Sequence, residues 1–381
     1  MEYFEWFATT ISGLEDLAAR EIEELTGLPT QPDVGKVFFE GTIEHAAKIN
    51  YSSTMVNKVY LLLEREEIQT LEDLYNVARR LDYSWLIEPN QTFAVKAERH
   101  DKKLPFTSIN AAASIGRAII ESFAESTKIK LRVDLDNPDL EFYCLLRDSK
   151  MFLGLNTTGE SLHKRYYKAY SHRAGLQSTI ASAMIKISGW GKNQSLLDPM
   201  CGGGTIPIEA AIKLKNIPPG FMRRELDIEK LKFVDSLFIQ ELRKKIEESI
   251  DRDALAEIVG SDVSPKSAEY AKRNVEAAGV SDTVRIEVRD CLKISEWLNW
   301  EPSHVITNPP YGVRMNIGNI VEFYSRFIEN IRRASPNSRL TVIVSKPKTL
   351  TSILRENNYR IVSTREIMYG RLRTVIISAE G

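Results

Sequence analysis

From residue 195 onward the sequence repeats one cadence: a short apolar run, a helix-length segment, then another apolar run. The runs SLLDPM, AEIVGSDV, VRIEVRD, SHVITNPP and RLTVIVS are brief and lack the strict polar–apolar alternation of a sheet with one wet face. Strands that are apolar on both sides must be covered on both sides, so the pattern predicts a parallel sheet flanked by helices. That restricts the C-terminal half to an α/β fold of Rossmann-like type. A closely spaced pair, YRIVSTREIM and RLRTVIISAE, joined at Tyr369-Gly370, predicts a terminal hairpin that adds an antiparallel strand.

The N-terminal half reads differently. Residues 3–11 form an aromatic and β-branched strand, and helical spacing at Leu14, Leu17, Ala18 and Ile22 follows, ending near Gly27. Further strands at 36–40 and 58–64 enclose a short helix at 43–49, giving a small α+β module over 1–65. The pattern then restarts over 66–160, with a helix, a strand at 92–98, a long helix at 108–123 and strands at 130–133 and 140–146. Ile115, Ile119 and Phe123 lie at i, i+4 and i+8 of the long helix and are read as core. Residues 161–177 form a linker, and 178–381 the α/β domain.

Several classes are excluded. Cys144, Cys201 and Cys291 occur singly with no CxxC pair, which argues against a zinc site or a disulfide framework. The first seven residues carry acids where a secretory leader needs positive charge, and no stretch approaches the length of a membrane span. A cytoplasmic monomer without metal or membrane partner is expected. The formal net charge is only -1, so any affinity for nucleic acid must come from local basic patches.

The first strand of the α/β domain runs into Asp198-Pro199-Met200-Cys201-Gly202-Gly203-Gly204-Thr205 and then a helix. Three glycines at a strand-to-helix turn let the backbone approach a ligand at the carboxyl edge of the sheet. A phosphate-binding loop would need a lysine after the last glycine, and Thr205 stands there, which disfavours nucleoside triphosphates. Asp262 ends the second strand and Asp290 the third. Either aspartate alone reads as a helix cap or loop residue. In sequence with the glycine turn they read as acceptors for ribose hydroxyls and for an adenine amine. Asp262 lies well beyond the roughly 20 residues that usually separate such groups. The excess, 216–253, is read as a helical insertion near the substrate mouth.

The fourth strand ends in Asn308-Pro309-Pro310-Tyr311-Gly312. A planar amine is a poor nucleophile because its lone pair is delocalised into the group beside it. If the Asn308 side-chain oxygen and the Pro309 carbonyl each accept one of its hydrogens, the nitrogen is fixed with its lone pair turned toward an activated methyl. Pro309 and Pro310 stiffen the loop, and Tyr311 offers a ring face to a stacked base.

DPMCGGGT, GSDVSP and NPPYG in this order, preceded by LHKRYYKAYSHRAGLQSTIASAMIKISGW, resemble the THUMP-domain RNA methyltransferases, and most closely the archaeal tRNA guanine-N2 methyltransferases. The resemblance spans essentially the whole chain. It implies ferredoxin-like and THUMP domains ahead of a Rossmann-like class I methyltransferase domain, S-adenosyl-L-methionine as cofactor and tRNA, near its acceptor end, as partner. The expected cofactor set is Asp198, Pro199, Cys201, Gly202, Gly203, Gly204, Thr205, Asp262, Asp290, Cys291 and Asn308, with Asn308, Pro309, Pro310 and Tyr311 at the reacting amine. Gly203 departs from the serine common in the family, at a position that contributes mainly backbone. The NPPY motif also serves adenine N6 and glutamine side chains, so an rRNA guanine-N2 or adenine-N6 enzyme stays open, as does a noncatalytic RNA-binding protein on the same scaffold.

Residues 163–173 interleave basic and aromatic side chains, a mixture that can neutralise phosphates while stacking on bases. Lys164, Arg165, Tyr166, Lys168, His172 and Arg173 are the expected RNA contacts there, and Lys102 and Lys103 in the earlier basic run; a plain linker and a solvated loop are the competing readings.

Overall fold

The computed structural model describes every residue except 1, 101–102, 169–174, 224, 312–318 and 371. The chain divides into two compact units, the first made of Met1–Thr9, Ala19–Leu162 and Arg223–Lys245, the second of Thr10–Ala18, His163–Met222 and Ile246–Gly381.

In the first unit one eight-stranded sheet runs through both N-terminal modules. Its elements are β1 (Phe4–Thr9), α1 (Glu15–Thr26, which begins in the other unit), β2 (Thr30–Asp33), β3 (Lys36–Gly41), α2 (Ile43–Ser52), β4 (Lys58–Glu67), α3 (Leu71–Arg79), β5 (Thr92–Arg99), α4 (Ser108–Thr127), β6 (Arg132–Val133), β7 (Leu140–Arg147) and β8 (Lys150–Asn156). The strand order is β2-β3-β1-β4-β8-β7-β5-β6, so the antiparallel β4–β8 pair welds the two modules together. β8 has no counterpart in the sequence reading. It returns from β7 through Asp148 and Ser149, whose φ values of 52 and 60° give a two-residue turn that matches the twist of the strands. Thr107 caps α4 by accepting from the Asn110 backbone, and Ile115, Ile119 and Phe123 are all fully buried, as the spacing required.

The region 216–253 corrects the sequence reading. Residues 223–245 pack in the N-terminal unit and not as an insertion on the α/β core: Arg223 donates to the carbonyls of Glu160 and Ser161, at 2.6 and 2.7 Å, and the Ile228 amide donates to Thr157. These are long-range backbone partners that no local pattern announces.

The second unit holds α5 (Ser178–Ser188), β9 (Leu196–Asp198), α6 (Thr205–Leu214), the end of α7 (Ser236–Glu248), β10 (Ile258–Asp262), α8 (Pro265–Ala277), β11 (Val284–Val288), α9 (Ile294–Trp297), β12 (His304–Thr307), α10 (Ile320–Ala334), β13 (Arg339–Val344), α11 (Pro347–Glu356), β14 (Arg360–Tyr369) and β15 (Leu372–Glu380). Its sheet has the order β11-β10-β9-β12-β13-β15-β14, parallel from β11 through β13 and antiparallel beyond. The terminal hairpin is present, but β15 slots between β13 and β14, leaving β14 outermost. Along β14 lies the segment Thr10–Ala18: the Met368 amide donates to Ser12, and Arg365 donates to the Gly13 carbonyl and to both carboxylate oxygens of Asp16. Strand order reverses between β9 and β12, and in such sheets the crevice at the carboxyl ends of those strands is the ligand-binding position. No described helix is long and apolar enough to cross a membrane.

Candidate active site

Buried β9 delivers Asp198 to that crevice, and the chain then turns tightly into α6. Gly202 and Gly204 sit at φ 54 and 80°, left-handed values that cost a glycine little, and the Gly204 amide donates back to Cys201. The turn is tied to β10, because the Cys201 amide donates to the Ser261 carbonyl and the Gly202 amide to the Asp262 carboxylate at 3.0 Å. The Asn274 amide on α8 holds the Gly203 carbonyl at 2.9 Å. A side chain at Gly203 would meet nothing nearer than that amide at 3.5 Å, so the serine usual in the resembling family fits, and glycine there leaves the backbone unchanged.

Acids stand at the ends of three neighbouring strands. Asp198 is 1% exposed, and burial pushes its carboxyl up to about 7, against the opposing pull of the Thr307 hydroxyl at 2.7 Å and the Met200 amide. Asp262 accepts from the Ser264 amide as well as from Gly202, and Asp290 accepts from the Leu292 amide at 2.9 Å. Asp290 therefore caps the short helical turn Cys291–Lys293, whereas α8 is capped by Ser264 and Asp262 holds loop amides; among the described residues no donor reaches the second carboxylate oxygen of Asp290. Val263, directly after Asp262, is 66% exposed, an apolar surface beside the acids. A glycine turn, two half-buried acids and an apolar wall fit a nucleoside with a cationic tail. Cys201 and Cys291 are buried and their thiols pushed upward by desolvation, so they pack as small apolar groups. Thr205 opens α6 and is buried, and Pro199 lies in the turn.

Opposite the turn, β12 ends at Thr307, whose hydroxyl bridges to Asp198 on β9. Asn308, Pro309, Pro310 and Tyr311 follow. The Tyr311 hydroxyl donates to the Asn308 side-chain oxygen at 2.7 Å, and the Tyr324 hydroxyl on α10 donates to the Pro310 carbonyl at 3.0 Å. Sequence reading missed Thr307 and Tyr324, because their partners are distant in the chain.

The expected RNA contacts separate. Arg165 is a correction: it is 5% exposed, and its guanidinium pairs bidentately with Glu209 on α6 at 3.1 and 3.2 Å. The same carboxylate accepts from Tyr167 at 2.7 Å and Ser182 at 2.8 Å. Lys168 is also turned inward, donating to the Leu176 carbonyl, and desolvation lowers its ammonium to about 8. Neither is placed to meet a phosphate. Lys164 is exposed and Tyr166 is 54% exposed, the outward members of the same alternating segment, and Lys103 is exposed in the first unit. Lys102, His172 and Arg173 lie outside the described residues.

Residues 165–375 match the family model described as RMKL-like, methyltransferase domain. The chain belongs to the RMKL-like methyltransferase family. Ahead of that domain, residues 5–60 match the RlmL ferredoxin-like domain and 69–156 the THUMP domain. Among relatives of this RMKL-like enzyme, the tRNA (guanine(6)-N2)-methyltransferases of Methanocaldococcus jannaschii and Archaeoglobus fulgidus are 35% and 34% identical to it. Those alignments cover 97% and 98% of this chain, and 98% and 91% of the relatives. A ribosomal RNA large subunit methyltransferase K/L from Shewanella amazonensis is 28% identical over 92% of the chain, which spans 50% of that protein. In three dimensions the chain is similar to a "possible methylase" of Clostridium difficile 630, with a TM-score of 0.90, 26% identity and coverage of 100% and 98%. It is also similar to SMU.472 in complex with SAH, with a TM-score of 0.89, 25% identity and coverage of 100% and 99%.

Proposed function

We propose that this RMKL-like methyltransferase transfers a methyl group from S-adenosyl-L-methionine to the exocyclic N2 amine of a guanosine in tRNA, at nucleotide 6 in the acceptor stem. The observation that carries the reading is the Asn308-Pro309-Pro310-Tyr311 tip at the reversal of strand order, linked through Thr307 to Asp198 of the glycine turn.

S-adenosylmethionine, when bound, supplies a methyl activated by positive sulfur. Asp262 is suited to the ribose hydroxyls, the second oxygen of Asp290 to the adenine amine, and Asp198 to the cationic end. Asn308 and the Pro309 carbonyl take the two hydrogens of the guanine amine. Asn308 can do so while keeping Tyr311, since an amide oxygen has two lone pairs. Catalysis on this reading is positioning, since the acceptors are held before the base arrives. A base in a paired stem must leave its stack at a cost of a few kcal/mol, which stacking on Tyr311 helps to offset. Support for tRNA over rRNA comes from the near-full-length likeness to the two archaeal tRNA enzymes.

The test is incubation of purified protein with labelled S-adenosylmethionine and unmodified tRNA or rRNA, followed by nucleoside digestion and mapping. N2-methylguanosine at position 6 of tRNA is expected. Label in rRNA, or in methyladenosine, would displace the reading. Asn308→Ala should abolish transfer, since it removes one of the two acceptors of the amine, and the cofactor affinity of the variant tells whether Asn308 also belongs to the cofactor set; near-normal turnover would reject the role.

A further inference from the structure

Two consecutive prolines give the β12 tip an unusual constraint. Pro309 and Pro310 carry no N–H, so the backbone at these residues can be fixed by hydrogen bonds only at its carbonyl oxygens. Among the described residues no donor reaches the Pro309 carbonyl, the one that the amine needs. The next carbonyl, of Pro310, accepts from the Tyr324 hydroxyl at 3.0 Å.

Tyr324 is a rigid post. Its ring is 2% exposed and lies in the core with Phe327, Ile328 and Ile331 of the same helix. The ring cannot swing without opening that core. Burial pushes the hydroxyl up to about 12, so it remains a protonated donor at neutral pH. The pyrrolidine ring locks φ of Pro310, and a fixed Pro310 carbonyl restrains ψ of the same residue. With both dihedrals held, the preceding peptide plane, which carries the Pro309 carbonyl, keeps its direction relative to α10.

We propose that Tyr324 is the positioning residue of the amine-gripping tip, aiming the Pro309 carbonyl by holding the carbonyl of Pro310. The inference rests on the reading of Asn308 and Pro309 as the acceptors of the target amine. Tyr324 touches neither base nor cofactor in this role, and its effect falls on the turnover step.

Tyr324→Phe keeps the ring and removes only the hydroxyl. Single-turnover methylation of tRNA at saturating cofactor is expected to slow about tenfold, since small misplacements of reacting groups cost rates of that order or more. KM for tRNA and cofactor affinity should stay within about twofold of wild type. Phe327→Leu, in the same core but without a bond to the tip, is the control: it should lower the melting temperature and leave kcat unchanged while the protein is folded. Wild-type kcat in Tyr324→Phe, or an equal loss of kcat in Phe327→Leu, overturns the positioning role. Asn308→Ala, run in parallel, separates the two readings. If it is inactive while Tyr324→Phe is unimpaired, only the positioning role falls; if it retains turnover, the parent reading falls and this one with it.

Discussion

Lowering the pH from about 7.5 to about 6 is expected to weaken S-adenosylmethionine binding about eightfold, through one buried carboxyl. Asp198 is buried at the end of β9, with Thr307 and the Met200 amide as donors and Asp262 as a like-charged neighbour. Holding it neutral up to about 7, against 3.8 in the open, makes its ionised form less favourable by roughly 4 kcal/mol in the ligand-free fold. The sign follows from that direction. Below about 7 the free protein carries the proton; a cationic cofactor favours the carboxylate, so binding must expel the proton there and grows tighter as pH rises toward 7. Above 7 the carboxyl is already ionised and the dependence flattens. The same raised value means that the ligand-free fold loses stability as pH climbs from about 4 to about 7, since the unfolded chain ionises first. Isothermal titration in buffers of different ionisation enthalpy reads both affinity and proton release, with nearly one proton expelled at about pH 6. Asp198→Asn should abolish both the proton release and the slope. A cofactor affinity that is flat across this range, or protons taken up on binding, would refute the argument.

Two further perturbations probe the segment ahead of α5. Glu209→Gln strands the Arg165 guanidinium in the interior, where loss of one partner of a buried pair costs about 3–5 kcal/mol. A melting temperature lower by roughly 10 °C is expected in thermal denaturation, and a change under a degree or two would contradict it. Replacing Lys164 and Tyr166 together by alanine should weaken tRNA binding and reduce its salt slope by about 0.9 for the lost cation, with the fold intact. Unchanged affinity in a filter-binding series would assign the segment to structure alone.

Much of the candidate site's layout was legible because its signals are local. The glycine turn, the acids at 198, 262 and 290 and the stiff NPPY tip each follow a strand end within a few residues, and the cadence of apolar runs fixes which strand ends these are. Arg165 was misread because a basic, aromatic stretch looks solvent-facing until its partner is known, and that partner is Glu209, 44 residues away. The stretch did hold a clue: Arg165 and Tyr167 alternate with Lys164 and Tyr166, a period of two that places one pair inside and the other outside. β8 escaped notice because it is fixed by pairing with β4, about 90 residues upstream, as much as by its own sequence. Residues 223–245 were misplaced for a related reason. Their hydrogen bonds close on residues 51, 84–91 and 157–161, and hydrophobic periodicity reports which face of a helix is buried without naming what buries it.

The contact of Thr10–Ala18 with β14 has a consequence for how this enzyme could be dissected or recombined. The outermost strand of an open sheet offers its backbone to any passing chain, and here a piece from the opposite terminus lies against it, taking the Met368 amide and the Arg365 guanidinium. Gly13 is fitted to the spot, with φ of +96° and no room for a side chain beside the Glu366 carbonyl. The catalytic half is therefore not a self-sufficient cassette: severed ahead of His163, or grafted onto a foreign RNA-binding module, it would arrive with a bare seam inviting self-association.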